Sequence, residues 1–393
     1  MDFLRAEELP VETGQVFTPE IKAEIGHTRK YMLETLAMLF APIIMAWYFY
    51  GGRALRLMVI SVLTAVLCEF IGGHLIKSLP TIRDFSAVIT GLLIALCLPA
   101  SVPVWVVVLA SAFAILAAKL PFGNARSALF SPAAAGLAFV TICFPDYVFA
   151  YPAIPESGAQ VGVYGTPTFT AGMSLSQMLL QSTSMVGDAA NYLDILIGDI
   201  PGAMGTGCII ALVGALLYSA VRRRKAFGVT LAFLVTCAVY AFLFPRIMTG
   251  RLQSVFMELS GGMLLFAGIL ILPYEGLLPK RFYGRLVYGA AAGLICMLFR
   301  TFGTFEEGVV FAILIANALC GVCDKMPVSR WERKAHAKRR RLAREAQEEK
   351  EQEERRAQWL EADAAATEQD PIETTETNET PETDGNEGGG AHV

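Results

Sequence analysis

Phe85 to Pro99 reads FSAVITGLLIALCLP, and Leu259 to Pro273 reads LSGGMLLFAGILILP. Each stretch ends at proline, is followed by another long apolar span, and leads to a Phe-Gly pair, Phe122-Gly123 and Phe302-Gly303. This echo marks an internal repeat. Working outward, the first copy holds apolar spans near 31–50, 55–76, 85–99, 101–119 and 128–144. The second holds spans near 205–221, 226–244, 256–272, 283–299 and 307–322. Five crossings per copy put the two copies in opposite orientations. Inverted repeats with short, Gly- and Pro-bounded segments are typical of membrane proteins that work near mid-bilayer. The fold class expected is all-α and polytopic: about ten transmembrane helices as two inverted five-helix repeats, with an outer loop domain.

Composition agrees. Apolar residues are 54% of 393 and charged residues only 17%, and most of that charge lies at the two ends, which excludes an ordinary soluble domain. A hydrocarbon core of about 30 Å needs roughly 20 helical residues, so the 85–99 segment is short and is expected to be broken, tilted or buried. The acidic start MDFLRAEELPVETG lacks the basic region of a cleaved signal, so the first span is expected to direct insertion. Eight scattered cysteines give no disulfide framework. The Cys320/Cys323 pair reads as small packing residues at a helix end, since zinc or iron-sulfur ligation needs further partners.

Orientation follows from Lys and Arg. Loops with Lys77 and Arg83, with Lys119 and Arg126, with Arg222 to Lys225, and with Lys280, Arg281 and Arg285 alternate with poorer ones, and no Lys or Arg occurs from Ser127 to Val221. Both termini are thereby placed in the cytoplasm by the positive-inside rule. The exceptions are five arginines left outside: Arg53, Arg56, Arg246, Arg251 and Arg300.

The expected organisation is a cytoplasmic segment at 1–30, with a short amphipathic helix around Pro19 to Tyr31, and a first repeat at 31–144. An extracytoplasmic loop at 145–204 is rich in Gly, Pro, Ser and Thr, and the second repeat covers 205–323. A charged, largely disordered cytoplasmic tail at 324–393 completes the chain. In the tail, Trp331 to Arg344 is basic and suited either to anionic headgroups or to a solvated helix face, and Glu345 to Glu361 has helical propensity. Inside spans, Glu69, His74 and Asn317 are the candidate ion-path residues, because polar groups in lipid are costly. Headgroup contact is the alternative for Glu69 and His74. Asp188, Asp194 and Asp199 read as helix caps or turns, and the slim runs Gly289 to Gly293 and Ala133 to Gly136 as helix-packing surfaces.

Several motifs stand in a fixed order on this pattern: LPTIRDFSAVITGLLIALCLPASVPVWVVVLASAFAILAAKLPFGNARSALFSPAAAG, YLDILIGDIPGAMG at Tyr192 to Gly205, LSGG at Leu259 to Gly262, and GRLVYGAAAGLICMLFRTFGTFEEGVVFAILIANAL at Gly284 to Leu319. Together they resemble the D-type component of the Rnf complex and the related B-type component of the sodium-pumping NADH:quinone reductase, the RnfD and NqrB family. The resemblance implies a translocase subunit, inactive alone, in a multi-pass bacterial inner-membrane complex that couples ferredoxin:NAD electron transfer to Na+ or H+ translocation. Its implied partners are the A-, B-, C-, E- and G-type Rnf subunits and membrane lipid, with no nucleic acid and no metal held by this chain. It also implies FMN, or riboflavin as another flavin, with the FMN phosphate esterified to a Thr in the outer loop so that the ring stays free for electron transfer.

The sequence departs from that pattern. Thr170-Ala171-Gly172-Met173-Ser174-Leu175 places Met173 where the attached Thr belongs, and methionine cannot form the ester. Covalent attachment is thereby put in doubt, with Thr166, Thr170 and Ser174 as alternative acceptors and Thr168 a further hydroxyl nearby. Leu272-Pro273-Tyr274-Glu275-Gly276 stands where the family has an Asp-Pro pair, and Ser131-Pro132-Ala133 where it has Asn-Pro-Ala. Arg300, in Arg-Thr-Phe-Gly, is suited either to a cofactor phosphate or to a structural ion pair. Two other readings stay open: a transporter or channel sharing the fold, and a cofactor-less scaffold paralogue within the complex.

Overall fold

Gly51 has φ 60° and ψ −146°, a conformation that only glycine enters without strain, and it is all that separates the first two spans. Helix α1, Pro19–Leu75, runs through both. The expected amphipathic helix at Pro19 to Tyr31 is therefore continuous with the first span, and the turn expected between 50 and 55 shrinks to one residue. The structure is a computed structural model that describes residues 19–75, 85–122, 128–153, 172–180, 192–246, 250–303 and 306–325. It also describes isolated positions beyond these and the stretch 347–360. Thr166, Thr168, Thr170 and Asp188 lie outside the described residues, as does most of the basic stretch 331–344.

After α1 come α2 (Ser86–Cys97), α3 (Val104–Lys119, its last turns π-helical), α4 (Pro132–Cys143), and the short helices α5 (Pro145–Val148), α6 (Leu175–Leu180) and α7 (Tyr192–Ile197). The second half holds α8 (Ile209–Arg222), α9 (Arg224–Leu243), α10 (Arg251–Ser260), α11 (Leu264–Ile271), α12 (Phe282–Phe302) and α13 (Val309–Cys323). With α1 read as two spans and α10–α11 as one bent by 69°, five apolar helical segments fall in each half. The chain is an all-helical polytopic membrane protein. Its surface says the same, because Phe40, Trp47, Leu67, Leu217 and Val221 are exposed while Arg53, Glu69, Lys119 and Arg300 are buried. That inverts the distribution of a protein whose helices face water.

Both third segments are interrupted, in different ways. Helix α2 has 12 residues and is about 18 Å long, too short to cross alone. It ends at an extended Leu98, and Leu98-Pro99-Ala100-Ser101-Val102 then runs to Pro103, which opens α3. Two backbone bonds brace this break: Gly205 N donates to Leu96 O at 2.7 Å, and Met204 N to Leu98 O at 3.1 Å. From the other side Arg53 donates to the carbonyls of Ala100, Ser101 (3.4 Å) and Val102 (3.2 Å). In the second half the break is internal, at Gly261-Gly262-Met263, with Gly262 at φ +64°.

Close backbone approach packs the segments within each half. A Cβ on Gly91 would lie 2.9 Å from Ser61 O, and one on Gly293 would lie 2.8 Å from Phe233 O, so the Gly289 to Gly293 run seats α12 against α9. Each half repeats one polar device. Ser61 Oγ donates to Gly91 O at 2.6 Å, and Thr230 Oγ1 donates to Gly268 O at 2.9 Å, tying the second segment to the third. In the Cys320/Cys323 pair, Cys320 Sγ donates to Leu277 O at 3.1 Å and Cys323 is buried. Residues Arg330–Val393 form a separate unit. Its helix at 347–360 is solvent-exposed, with i,i+4 ion pairs such as Arg355 with Glu351 at 3.5 Å.

Candidate functional site

The break between α10 and α11 is where the quoted motifs converge. Arg300, near the end of α12, is 2% exposed and reaches across it. Its Nη1 donates to Glu258 O (2.7 Å) and Glu258 Oε2 (3.2 Å). Its Nη2 donates to Gly261 O (2.5 Å), Ser176 Oγ (3.4 Å) and both Glu307 carboxylate oxygens (3.2 and 3.3 Å). Arg246 donates through Nε to Glu258 and through Nη1 to Arg300 O at 2.9 Å. Two arginines thus face two carboxylates, with the open carbonyl of the helix break as a further acceptor. Buried ion pairs are tolerated only when their remaining hydrogen-bonding groups are also met. Here Arg300 Nε alone of that guanidinium has no partner among the described residues. Gly262 is required twice over: its φ suits glycine, and a Cβ there would overlap the Glu307 carboxylate.

The 145–204 segment is bonded into this cluster. Ser176 Oγ, in α6, donates to Glu307 Oε1 at 2.7 Å. Ser174 Oγ donates to Glu306 and accepts from Gln177 N at 3.1 Å. Burial, with the adjacent Glu307 charge second, pushes the Glu306 carboxyl up to about 8. Its Oε2 has no hydrogen-bond partner among the described residues, which a neutral acid tolerates and a carboxylate does not. Beside Ser174 is a cavity of about 30 Å³, with Tyr151, Thr206, Ser260, Gly262 and Met263 among its walls.

Of the residues named from sequence, Arg300 and Ser174 are brought to this one place. Thr166 and Thr170 are outside the described residues. The described residues do not fit a flavin phosphate site. Ser174 Oγ is engaged on both sides and buried. The neighbouring cavity has room for about one water, against the several hundred Å³ usual for a cofactor. Both terminal nitrogens of Arg300 are committed to the protein. Met173, which is exposed, carries no hydroxyl.

The other polar candidates lie elsewhere. Glu69, at the end of α1, is buried against Lys119 Nζ, which also donates to Ser86 Oγ at 2.7 Å. His74 is exposed. Asn317 in α13 meets Tyr288 Oη at 2.6 Å. With its amide nitrogen toward the phenol, it also donates to Ile313 O (3.2 Å) and accepts from Ser131 N (3.0 Å), so it joins the two halves at the Ser-Pro-Ala position. Asp194 lies in the first turn of α7, and its carbonyl accepts from Gly198 N and Asp199 N (2.8 and 2.9 Å). Sequence reasoning missed Glu258, Glu306, Glu307 and Ser176. Glu258 had a signal, a carboxylate inside an apolar span, which requires a buried cation.

A family model described as the NQR2, RnfD, RnfE family matches residues 17–331. The chain belongs to this family. Three relatives show how far the likeness extends, each the D-type component of its complex. The chain is 29% identical to that of the Na(+)-translocating ferredoxin:NAD(+) oxidoreductase complex of Acetobacterium woodii, over 80% of this chain and 93% of the relative. It is 27% identical to that of the proton-translocating ferredoxin:NAD(+) oxidoreductase complex of Clostridium ljungdahlii, over 70% and 83% respectively. Against that of the ion-translocating oxidoreductase complex of Cronobacter sakazakii it is 30% identical, over 76% and 92%. The region that the family model matches contains Arg300, Glu258 and Glu307.

Proposed function

We propose that this chain is the D-type membrane component of an Rnf complex, in which electron transfer between ferredoxin and NAD drives translocation of Na+ or H+. The carrying observation is the extent of the likeness: the match covers 93% of the Acetobacterium woodii relative, whose name states that activity. On this reading the chain is an enzyme only as part of its complex, with the other Rnf subunits as partners. It resides in the bacterial inner membrane with both termini cytoplasmic. The breaks at Leu98 to Val102 and at Gly261 to Met263 are the segments at which an ion path would run, because both interrupt a third apolar segment and turn backbone carbonyls out of helical bonding.

A flavin on this chain is part of the proposal. Ser174 is spent in hydrogen bonds, so covalent FMN belongs at Thr166 or Thr170. A noncovalent flavin, riboflavin included, is the form that needs neither. The test is to tag the chain at its C-terminus in its own cell, solubilise the membranes and follow ferredoxin-dependent NAD reduction with in-gel flavin fluorescence. Co-purification of the partner subunits with that activity supports the proposal, and a chain that purifies alone, with activity intact in the deletion strain, overturns it. A fluorescent band lost in Thr166→Ala or Thr170→Ala but kept in Ser174→Ala supports the attachment site, whereas loss in Ser174→Ala overturns it.

A further inference from the structure

A cavity of about 820 Å³ lies between Lys30 to Glu34 of α1, the α8–α9 turn and the segment leading into α12. Its lining is cationic: Lys30, the run Arg222 to Lys225, Lys280 and Arg285, against a single carboxylate, Glu34. Glu34 is already paired, accepting from Arg222 at 3.3 Å. Two of the cations are built in. Arg223 is buried, donates to Thr35 Oγ1 at 3.2 Å and lies 3.4 Å over the Tyr31 ring. Arg285 donates to Lys280 O at 3.1 Å. Lys30, Arg224, Lys225 and the Lys280 side chain have no ion pair among the described residues. The first turn of α9, Arg224 to Ala226, also faces the cavity with amide groups that no helical carbonyl accepts.

So many like charges around one open space repel one another until an anion enters. The rim identifies which anion. Val221, in the lining, is 75% exposed, and Leu217, Val213 and Ile210 continue the same exposed face of α8 away from the cavity at helical spacing. Phosphate-binding cations at the head of a lipid-facing apolar stripe match an amphiphile and not a soluble ion.

We propose that this cavity binds the phosphate headgroup of an anionic phospholipid, with the acyl chains laid along Val221, Leu217, Val213 and Ile210. Lys30, Arg224, Lys225 and Lys280 contact the phosphate, while Arg223 and Arg285 shape the cavity.

The full complex, delipidated in neutral detergent, is titrated with micelles containing phosphatidylglycerol, with phosphatidylcholine micelles and with inorganic phosphate, reading melting temperature and bound lipid by native mass spectrometry. Phosphatidylglycerol should bind and raise the melting temperature, and the other two should not. Arg224→Gln with Lys225→Gln removes two of the four phosphate-facing cations and should raise the half-saturating lipid concentration about tenfold or more. Both positions are exposed, so the fold is kept. The charge-matched Lys350→Gln with Arg356→Gln should leave it unchanged. Equal binding of phosphatidylcholine, saturation by inorganic phosphate instead of lipid, or an unaltered titration in the Arg224/Lys225 variant would each overturn the assignment. If that variant fails to assemble, Lys30→Gln with Lys280→Gln gives the same readout with the same two outcomes.

Discussion

Each half of the molecule buries a cation near the end of its fourth segment, four residues before the Gly of its Phe-Gly pair in the first half and three before it in the second. In the first half Lys119 meets Glu69 and Ser86, so the pair ties α1, α2 and α3 to one another. In the second half Arg300 meets Glu258, Glu307 and the carbonyl of the α10–α11 break, and Ser176 brings in the 145–204 segment. Corresponding places in a repeated fold have become a local staple in one half and a junction in the other. The chemistry fits the difference. A lysine ammonium suffices for one carboxylate and a hydroxyl, whereas an arginine fork can hold two carboxylates and a carbonyl in fixed directions.

The sharpest way to break that comparison is to remove the cations one at a time. Arg300→Met strands Glu307 and leaves Glu258 to Arg246 alone, and is expected to cost about 3–5 kcal/mol, read as loss of the monodisperse peak on size exclusion. Arg300→Lys should rescue little of this. Gly262→Ala should approach the same loss, since the methyl displaces Glu307 from Arg300 while the charges stay.

Lys119→Met strands Glu69 and should cost about 3 kcal/mol in thermal stability, the low end for a broken buried pair. Adding Glu69→Gln should restore at least about 1 kcal/mol, because the stranded charge is gone. Additive losses in that cycle would show that the first cluster is not a staple. An equal loss for Lys119→Met and Arg300→Met would erase the distinction between the halves.

The smallest effect concerns pH. Glu306 keeps its proton to about 8 in the folded protein, whereas its reference value is 4.5. The folded state therefore holds the extra proton, and the stability this contributes is complete below about 4.5 and lost as pH rises to about 8. Protection against hydrogen exchange at residues 172–180, with the intrinsic pH dependence divided out, should fall over that window, and Glu306→Gln should flatten the profile. The helices α1, α2 and α3, which Lys119 joins, should show no such window in the same experiment.

What could be read from sequence tracks how local the signal is. Five apolar segments per half, the shortness of 85–99 and the packing role of Gly289 to Gly293 follow from runs and spacings. The arginine count shows the limit. Arg53, Arg246 and Arg300 stand as exceptions when loops are scored for charge, yet each is bonded inside the protein, to partners 47, 12 and 42 residues away in sequence. No spacing rule announces those pairings. Ser174 is the same case: a hydroxyl in a suggestive register is attractive as an acceptor until Glu306, 132 residues further on, is seen to hold it.

Arg53 sets a condition on how the chain is made. Its carbonyl acceptors, Ala100, Ser101 and Val102, are translated some fifty residues after it. Those three bonds form only once the third segment has arrived, so the docking of the 98–102 break onto the first two helices is a late step in assembly.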